Sequence, residues 1–231
     1  KEYRRQRQMC IRDSHKDMCG RYYIDVAKEE LSFVKNFKEF EYEENFNVAP
    51  QTAAPCIIDN NLVSANWGYF PDWLKKQSNS RPLFNTRYES LLEKKTFTSA
   101  FKNSRCLIPI SGWYEWKEEN GIKQPYYFSS NSSAILYAAG LYWNRSSGDI
   151  ESSIITREAV MDLQLIHNRS PLLLNEEKRN IWISDISSEE IYSEILDYTY
   201  SDIEFYKVDR AVSNPKNNNK SLIQEFKEVP F

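Results

Sequence analysis

The order of patterns along this chain predicts an α+β protein: a single domain on a curved, mainly antiparallel, barrel-like sheet with flanking helices. Three observations carry that prediction. Short β-branched and aromatic runs fill residues 105–158, helix-type periodicity lies on either side of them, and no repeat or long linker divides the 231 residues. A chain of this length buries a sizeable core as one unit.

Residues 27–40 place Leu31, Val34 and Phe37 three apart with charges between, which predicts an amphipathic helix. Residues 41–56 end in NVAPQTAAPC, and Pro50 and Pro55 predict irregular chain there. Residues 57–67 read as a hairpin turning at Asp59-Asn60-Asn61, followed by an aromatic loop, WGYFPDWLKK. A second helical pattern runs over 86–102 through Tyr88, Leu91, Leu92, Phe97 and Phe101. RCLIPI, GWYEWK, QPYYFSS, AILYAAGLYW and SSIITRE then read as strands, separated by turns that include Glu119-Asn120-Gly121 and Ser146-Ser147-Gly148-Asp149. Two helices follow near 175–182 and 187–198, then a strand at 203–209 and a polar loop, SNPKNNNK.

Composition narrows the function classes. Hydrophobic content of 41% and aromatic content of 14% fit a folded globule. No apolar stretch approaches the length of a membrane span, and no secretory signal is visible. Residues 1–17 are rich in charge and poor in periodicity. They read as a sequencing, cloning or upstream-frame scar outside the fold of 18–231, with a disordered basic arm as the other reading. The formal charge is −3; taking six of 30 Lys/Arg and three of 33 Asp/Glu away with that leader leaves 24 against 30, or −6. An acidic chain argues mildly against non-specific DNA binding, although a local basic groove is compatible with it. Cys10, Cys19, Cys56 and Cys106 match no zinc spacing and form no CxxC. They read as free thiols in a reducing compartment, with Cys56 and Cys106 in the core. The expectation is a cytoplasmic monomer with no metal and no organic cofactor.

Four runs carry chemistry. In Met18-Cys19-Gly20-Arg21-Tyr22, loss of Met18 gives Cys19 a free α-amine beside its thiol. The amine, with pKa about 7.7–8.0, and the thiol, about 8.5, are both partly nucleophilic near neutrality. Together they condense with an aldehyde and close a thiazolidine; a small buried cysteine is the plainer reading. In Phe84-Asn85-Thr86-Arg87, Asn85 reads as a helix N-cap that also offers its amide to a ligand. Arg87 has the wrong charge for a first helical turn, which suits a phosphate. In Gly112-Trp113-Tyr114-Glu115-Trp116, period 2 puts Glu115 on the face of Trp113. There it is either a desolvated acid/base or a solvent-facing strand residue. In Leu165-Ile166-His167-Asn168-Arg169-Ser170-Pro171, His167 stands where a buried segment emerges. Outside the leader, which holds His15, it is the only histidine.

These runs, with NVAPQT at 47–52, WGYFPDW at 67–73, AAGLYW at 138–143 and ITREA at 155–159, resemble the SOS response-associated peptidase family. Its members are also described as abasic-site processing proteins. The pieces keep the family's order over most of residues 18–215. The resemblance implies a specific activity: Cys19, exposed after Met18 is lost, crosslinks to the C1′ aldehyde of an abasic site in single-stranded DNA. It implies that Asn85 holds the reacting cysteine or sugar oxygen. Glu115 then acts as acid/base in ring opening and reversal, and His167 assists proton transfer. By the same resemblance Arg21 and Arg87 grip phosphates, Trp67 stacks on or wedges beside a base, and Pro50 and Thr156 line the pocket. The chain departs from the family at Thr86, commonly a small residue, and at Asn168 and Ser170, where the family commonly has His-Asp/Glu-Arg-Met-Pro. The other readings are a self-processing cysteine peptidase acting before Cys19 and a non-catalytic single-stranded DNA-binding module.

Overall fold

The structure is a computed structural model that describes residues 20–25 and 31–227. Thirteen strands are present among them: β1 (Arg21–Ile24), β2 (Asn45–Val48), β3 (Ala53–Ile58), β4 (Asn61–Trp67), β5 (Asn85–Arg87), β6 (Arg105–Ile110), β7 (Gly112–Glu119), β8 (Ile122–Ser129), β9 (Leu136–Asn144), β10 (Ile150–Glu158), β11 (Arg169–Pro171), β12 (Leu173–Leu174) and β13 (Glu204–Lys207). The longer helices are Lys95–Asn103, Glu176–Trp182 and Ser188–Leu196. The protein is α+β and mainly antiparallel, as the sequence predicts.

Five strands form one sheet in the order β13-β8-β7-β1-β2. In the other, β4 pairs with β3, β3 with β6, β6 with β9, β9 with β10, and β10 with β4 again, which closes a five-stranded ring. Closure leaves those strands without open edges along the ring. β10 is the hub of the site. One of its edges carries β4 and then β5, both parallel to it; the other carries β9 and then β11, both antiparallel.

Alternation along the strands sorts the core into layers. Cys106, Ile108 and Ile110 of β6 pack with Tyr22, Trp113 and Phe128 of the five-stranded sheet. Leu107 of β6 faces the other way, toward Phe101, Trp182 and Ile191 of the helices. Truncating any one of the buried tryptophans Trp67, Trp113 or Trp182 to alanine costs about 3–5 kcal/mol on this account. A third, smaller cluster joins Tyr114, Tyr127 and Phe46 to Val212 and Leu222 of the C-terminal segment. Asn47, 4% exposed, holds that segment down: its side-chain nitrogen donates to the carbonyls of Val212, Asn214 and Asn217 at 3.1, 3.0 and 3.0 Å.

The hairpin at 57–67 forms with Asp59 and Asn60 at its tip, both at positive φ (50° and 59°), which Asp and Asn accept more readily than other side chains. Other expectations change. The described part of the predicted helix 27–40 is a run of turns. Lys35 N, which a helix would have bonded internally, donates to Asn60 O, and the Asn36 side-chain amide exchanges two bonds with the Leu62 backbone, so this segment docks on the hairpin. Leu31 and Val34 are buried all the same. Residues 41–56, read as irregular, contain β2 and most of β3. Pro55 lies within β3 opposite Ser64, and the pairing on the far side of β3 is at Ile57–Leu107, beyond the proline. The helical pattern at 86–102 divides into β5, a 3-10 turn at Tyr88–Ser90 and the helix Lys95–Asn103.

Candidate active site

The strand β5 and the loop that leads into β11 flank the end of β10, and that loop reaches β7 through His167 and Glu115. β1 pairs with β7 with Arg21 opposite Tyr114, so the entry to β1 runs alongside Glu115. Cys19 itself lies outside the described residues. Glu115 is 3% exposed, on the face of β7 that carries Trp113 toward the larger sheet. The solvent-facing alternative for this carboxylate is therefore not what the fold adopts. His167 follows the 3-10 helix Met161–Leu165, and its Nδ1 stands 3.7 Å from Glu115 Oε2. This contact joins β7 to the loop before β11 and puts two proton-carrying groups side by side, with His167 at the wall of a cleft. Lys117, Lys123 and Asn168 line that cleft with His167.

Asn85 and Arg87 lie at opposite ends of β5 and are placed differently from their sequence reading. Asn85 is 5% exposed and pairs with Ile154, so it opens a strand instead of capping a helix. Arg87 closes the same strand in extended conformation, opposite Thr156; the helix-dipole argument for its charge does not apply. Thr156 is fully buried between Arg87 on one side and Pro171 on the other.

Trp67 is a correction. It is 1% exposed, edge-on to Tyr22 and Phe84 at 4.9 and 5.7 Å, and its Nε1 donates to Phe84 O at 2.7 Å. A ring packed on these sides has no face for a base. The residue ends β4 on the face of Val63 and Ala65, which join it in one core cluster, so it belongs to the core and not to the loop after it. Pro50 stands partly exposed in the turn after β2, where Gln51 N donates to Trp67 O. Arg21 is half buried, which lowers its pKa, and its Nη2 reaches Ser213 O at 3.4 Å.

A connection the sequence did not announce ties these residues together. Arg169 presents its guanidinium fork to Glu89, Nη1 to Oε1 at 2.8 Å and Nη2 to Oε2 at 3.0 Å, and Nη2 also donates to Thr156 O at 2.6 Å. Burial of Glu89 works against its charge, but the bonds from Arg169 outweigh it and hold the carboxyl below its ordinary range. The partners are 80 residues apart, and opposite charges at that distance leave no spacing signal to read.

Neither described cysteine competes as a nucleophile. Cys56 and Cys106 are free, 1% and 0% exposed, and burial pushes the Cys106 thiol well up, with Cys56 adding to it. Among the described residues no group of three or more His, Cys, Asp or Glu is placed to hold a metal ion. No helix among them is long and apolar enough to cross a membrane.

Residues 18–215 match the family described as SOS response associated peptidase (SRAP). The chain is 32% identical over 222 residues to the abasic site processing protein YoqW of Bacillus subtilis, covering 90% of this chain and 99% of that protein. It is 29% identical over 229 residues to the abasic site processing protein YedK of Escherichia coli, again over 90% and 99%. The fold is similar to a crystal structure of a protein from Bacteroides thetaiotaomicron, with TM-score 0.71 and 23% identity over 93% of this chain and 100% of that one.

Proposed function

The chain belongs to the SOS response-associated peptidase family, and from that premise we propose that it processes abasic sites in DNA, using Cys19 to form a covalent link with the damaged strand. Relatives matched over nearly their whole length carry the name abasic site processing protein, which supports the DNA-damage reading. The observation that carries the chemistry is the Glu115–His167 pair, 3.7 Å apart and mostly buried, beside the entry to β1.

The proposed steps use only groups of this chain and the sugar. The ring-opened deoxyribose offers an aldehyde at C1′. The Cys19 amine adds to C1′, and the resulting carbinolamine loses water to give an imine. The thiol then adds to the same carbon, its proton passes to nitrogen, and a thiazolidine closes. One water leaves overall, and no oxidant or reductant is required. Glu115 takes and returns protons during ring opening and reversal, while His167 serves the sugar oxygen and the departing water. Asn85 orients the cysteine or sugar oxygen. Arg21 and Arg87 hold flanking phosphates on a single strand. The protein acts without metal or organic cofactor.

A peptidase step at the family's namesake bond is the second reading, and the position of Met18 directly before Cys19 favours it as self-maturation. Cys19→Ser separates the two: it abolishes the thiazolidine while removal of the preceding residues by general aminopeptidases continues.

The test mixes protein whose translation starts at Met18 with a single-stranded oligonucleotide bearing one abasic site, followed by denaturing gels and intact mass. The expected result is a covalent species absent from Cys19→Ala and absent when residues 1–17 remain attached. No covalent species from protein shown by mass to begin at Cys19 overturns the proposal. Equal, wholly salt-sensitive binding to abasic and intact strands then favours a non-catalytic binding module.

A further inference from the structure

His167 Nδ1 faces an unusual set of partners. Arg169 N points at it from 3.2 Å, Arg169 O lies 3.1 Å away, and Glu115 Oε2 lies 3.7 Å away. When Nδ1 carries no proton it accepts from the Arg169 amide. When it carries one it donates to the Arg169 carbonyl, with the Glu115 carboxylate close behind. A single residue thus serves the nitrogen in either state, and the ring need not turn between them. The remaining charges near this ring, Lys117, Glu118 and Lys123 of the β7–β8 hairpin, line the open cleft beside it.

That arrangement is useful only if residue 169 stays put. The backbone of Arg169 pairs with Glu158 at the start of β11, and one further bond, Ala159 N to Asn168 O at 2.9 Å, follows before the chain turns to His167. The Arg169 side chain adds a second restraint on this end of the ladder. The guanidinium, 11% exposed, is bonded through both outer nitrogens to Glu89 and through Nη2 to Thr156 O. Glu89 sits just past β5, the strand that holds Asn85 and Arg87. The fork therefore fastens the His167 turn to the Asn85 strand across the end of β10.

We propose that Glu89 and Arg169 form a latch that positions His167, fixing the backbone groups that serve Nδ1 in both protonation states. Neither residue touches the reacting atoms in this account; both are positioning residues, and the catalytic part of the inference rests on the abasic-site reading above.

The test uses Glu89→Gln, Glu89→Asp and Arg169→Lys in protein whose translation starts at Met18, with circular dichroism and melting to show that each folds. Ring-nitrogen NMR of His167, the only histidine from residue 18 onward, is followed across pH. In the parent protein His167 gives one set of ring-nitrogen resonances. Glu89→Gln and Arg169→Lys shift and broaden them, and Glu89→Asp, which keeps the carboxylate, changes them least. Crosslinking at saturating abasic DNA falls roughly 10- to 100-fold in the first two while affinity for intact strand holds, as expected for misplaced catalytic groups. Folded Glu89→Gln and Arg169→Lys proteins whose His167 resonances match the parent's overturn the latch. If the parent protein makes no crosslink, the functional reading fails, and the NMR arm still decides the latch by itself.

Discussion

Trp67 donates its indole N–H to the carbonyl of Phe84 at 2.7 Å, one residue before Asn85. The same carbonyl accepts from Ile154 N of β10 at 3.0 Å. The indole thus anchors the start of β5 from inside the core, and a residue expected to meet the DNA bases instead sets where Asn85 emerges.

Trp67→Phe keeps most of the ring and removes the N–H. Because Ile154 N still satisfies the Phe84 carbonyl, the expected loss of stability is about 1 kcal/mol. Crosslinking slows as Asn85 loosens, and affinity for an intact single strand is unchanged. Chemical denaturation and single-turnover gels measure both. A large drop in intact-strand affinity with normal chemistry would return Trp67 to the role of a base platform.

Glu115→Gln removes the proton carrier and preserves shape in a site 3% exposed. Crosslink formation and reversal are expected to fall by roughly 10²-fold or more, the usual contribution of a positioned acid/base. Binding to intact strand and melting temperature hold. Unchanged rates in both directions would remove Glu115 from the chemistry.

Asn168 is exposed beside His167 where the family's pattern carries a carboxylate. A carboxylate there favours the protonated imidazole. The native protein is expected to form its crosslink normally and reverse it slowly, and Asn168→Asp to speed reversal by roughly two- to tenfold. Following release of preformed crosslink in excess competitor strand measures this; equal release rates for the two proteins would rule the idea out.

The Glu89 carboxyl, held low in the folded state by Arg169, binds its proton more weakly there than in the unfolded chain. The latch therefore contributes stability above the unfolded value of about 4.3, and the contribution is lost as pH falls through the lower folded value. Glu89 is half exposed, so solvent screening keeps the effect small. The stability difference between parent and Glu89→Gln is expected to be constant near neutrality and to shrink in acid. A difference that grows on acidification contradicts the assignment.

Gly112 begins β7 where a Cβ would sit 2.4 Å from Tyr127 Oη and 2.5 Å from Phe128 O. One contact is backbone and cannot swing aside. Gly112→Ala is expected to cost about 1–3 kcal/mol or more by overpacking, seen as a lowered melting temperature. A neutral result would mean the β7–β8 pairing is looser than the packing of Tyr127 indicates.

The middle of the fold was legible because β6 to β10 alternate β-branched and aromatic residues between clear turns, a local signal that tertiary contacts reinforce. β2 is hidden because Asn45 and Asn47 are poor strand formers; β1 pairs with the strand, and a distant C-terminal segment bonds to Phe46 and Asn47. The run at 31–39 carries a helix's apolar spacing, yet Asn36 finds its partner in Leu62, and a pairing of that kind is invisible to periodicity. In the site, Glu115 and His167 stood out by residue type and neighbours. Trp67 reads with the aromatic run after it, yet it is the last residue of β4 and shares its inward face with Val63 and Ala65. Arg169 and Glu89 were in view as letters, but their meeting depends on β10 lying between their strands.

Asn47 gathers three carbonyls from residues 212–217, more than 160 positions further along the chain. During synthesis the amide of Asn47 leaves the ribosome long before any of them exists. β1 likewise waits for β7, and Arg21 for Ser213. The wall of the site that contains Arg21 is thus assembled late, from segments far apart in the chain. A partly made chain carries these residues but not their arrangement, so any activity that depends on this wall is switched on only after residues 212–217 have emerged.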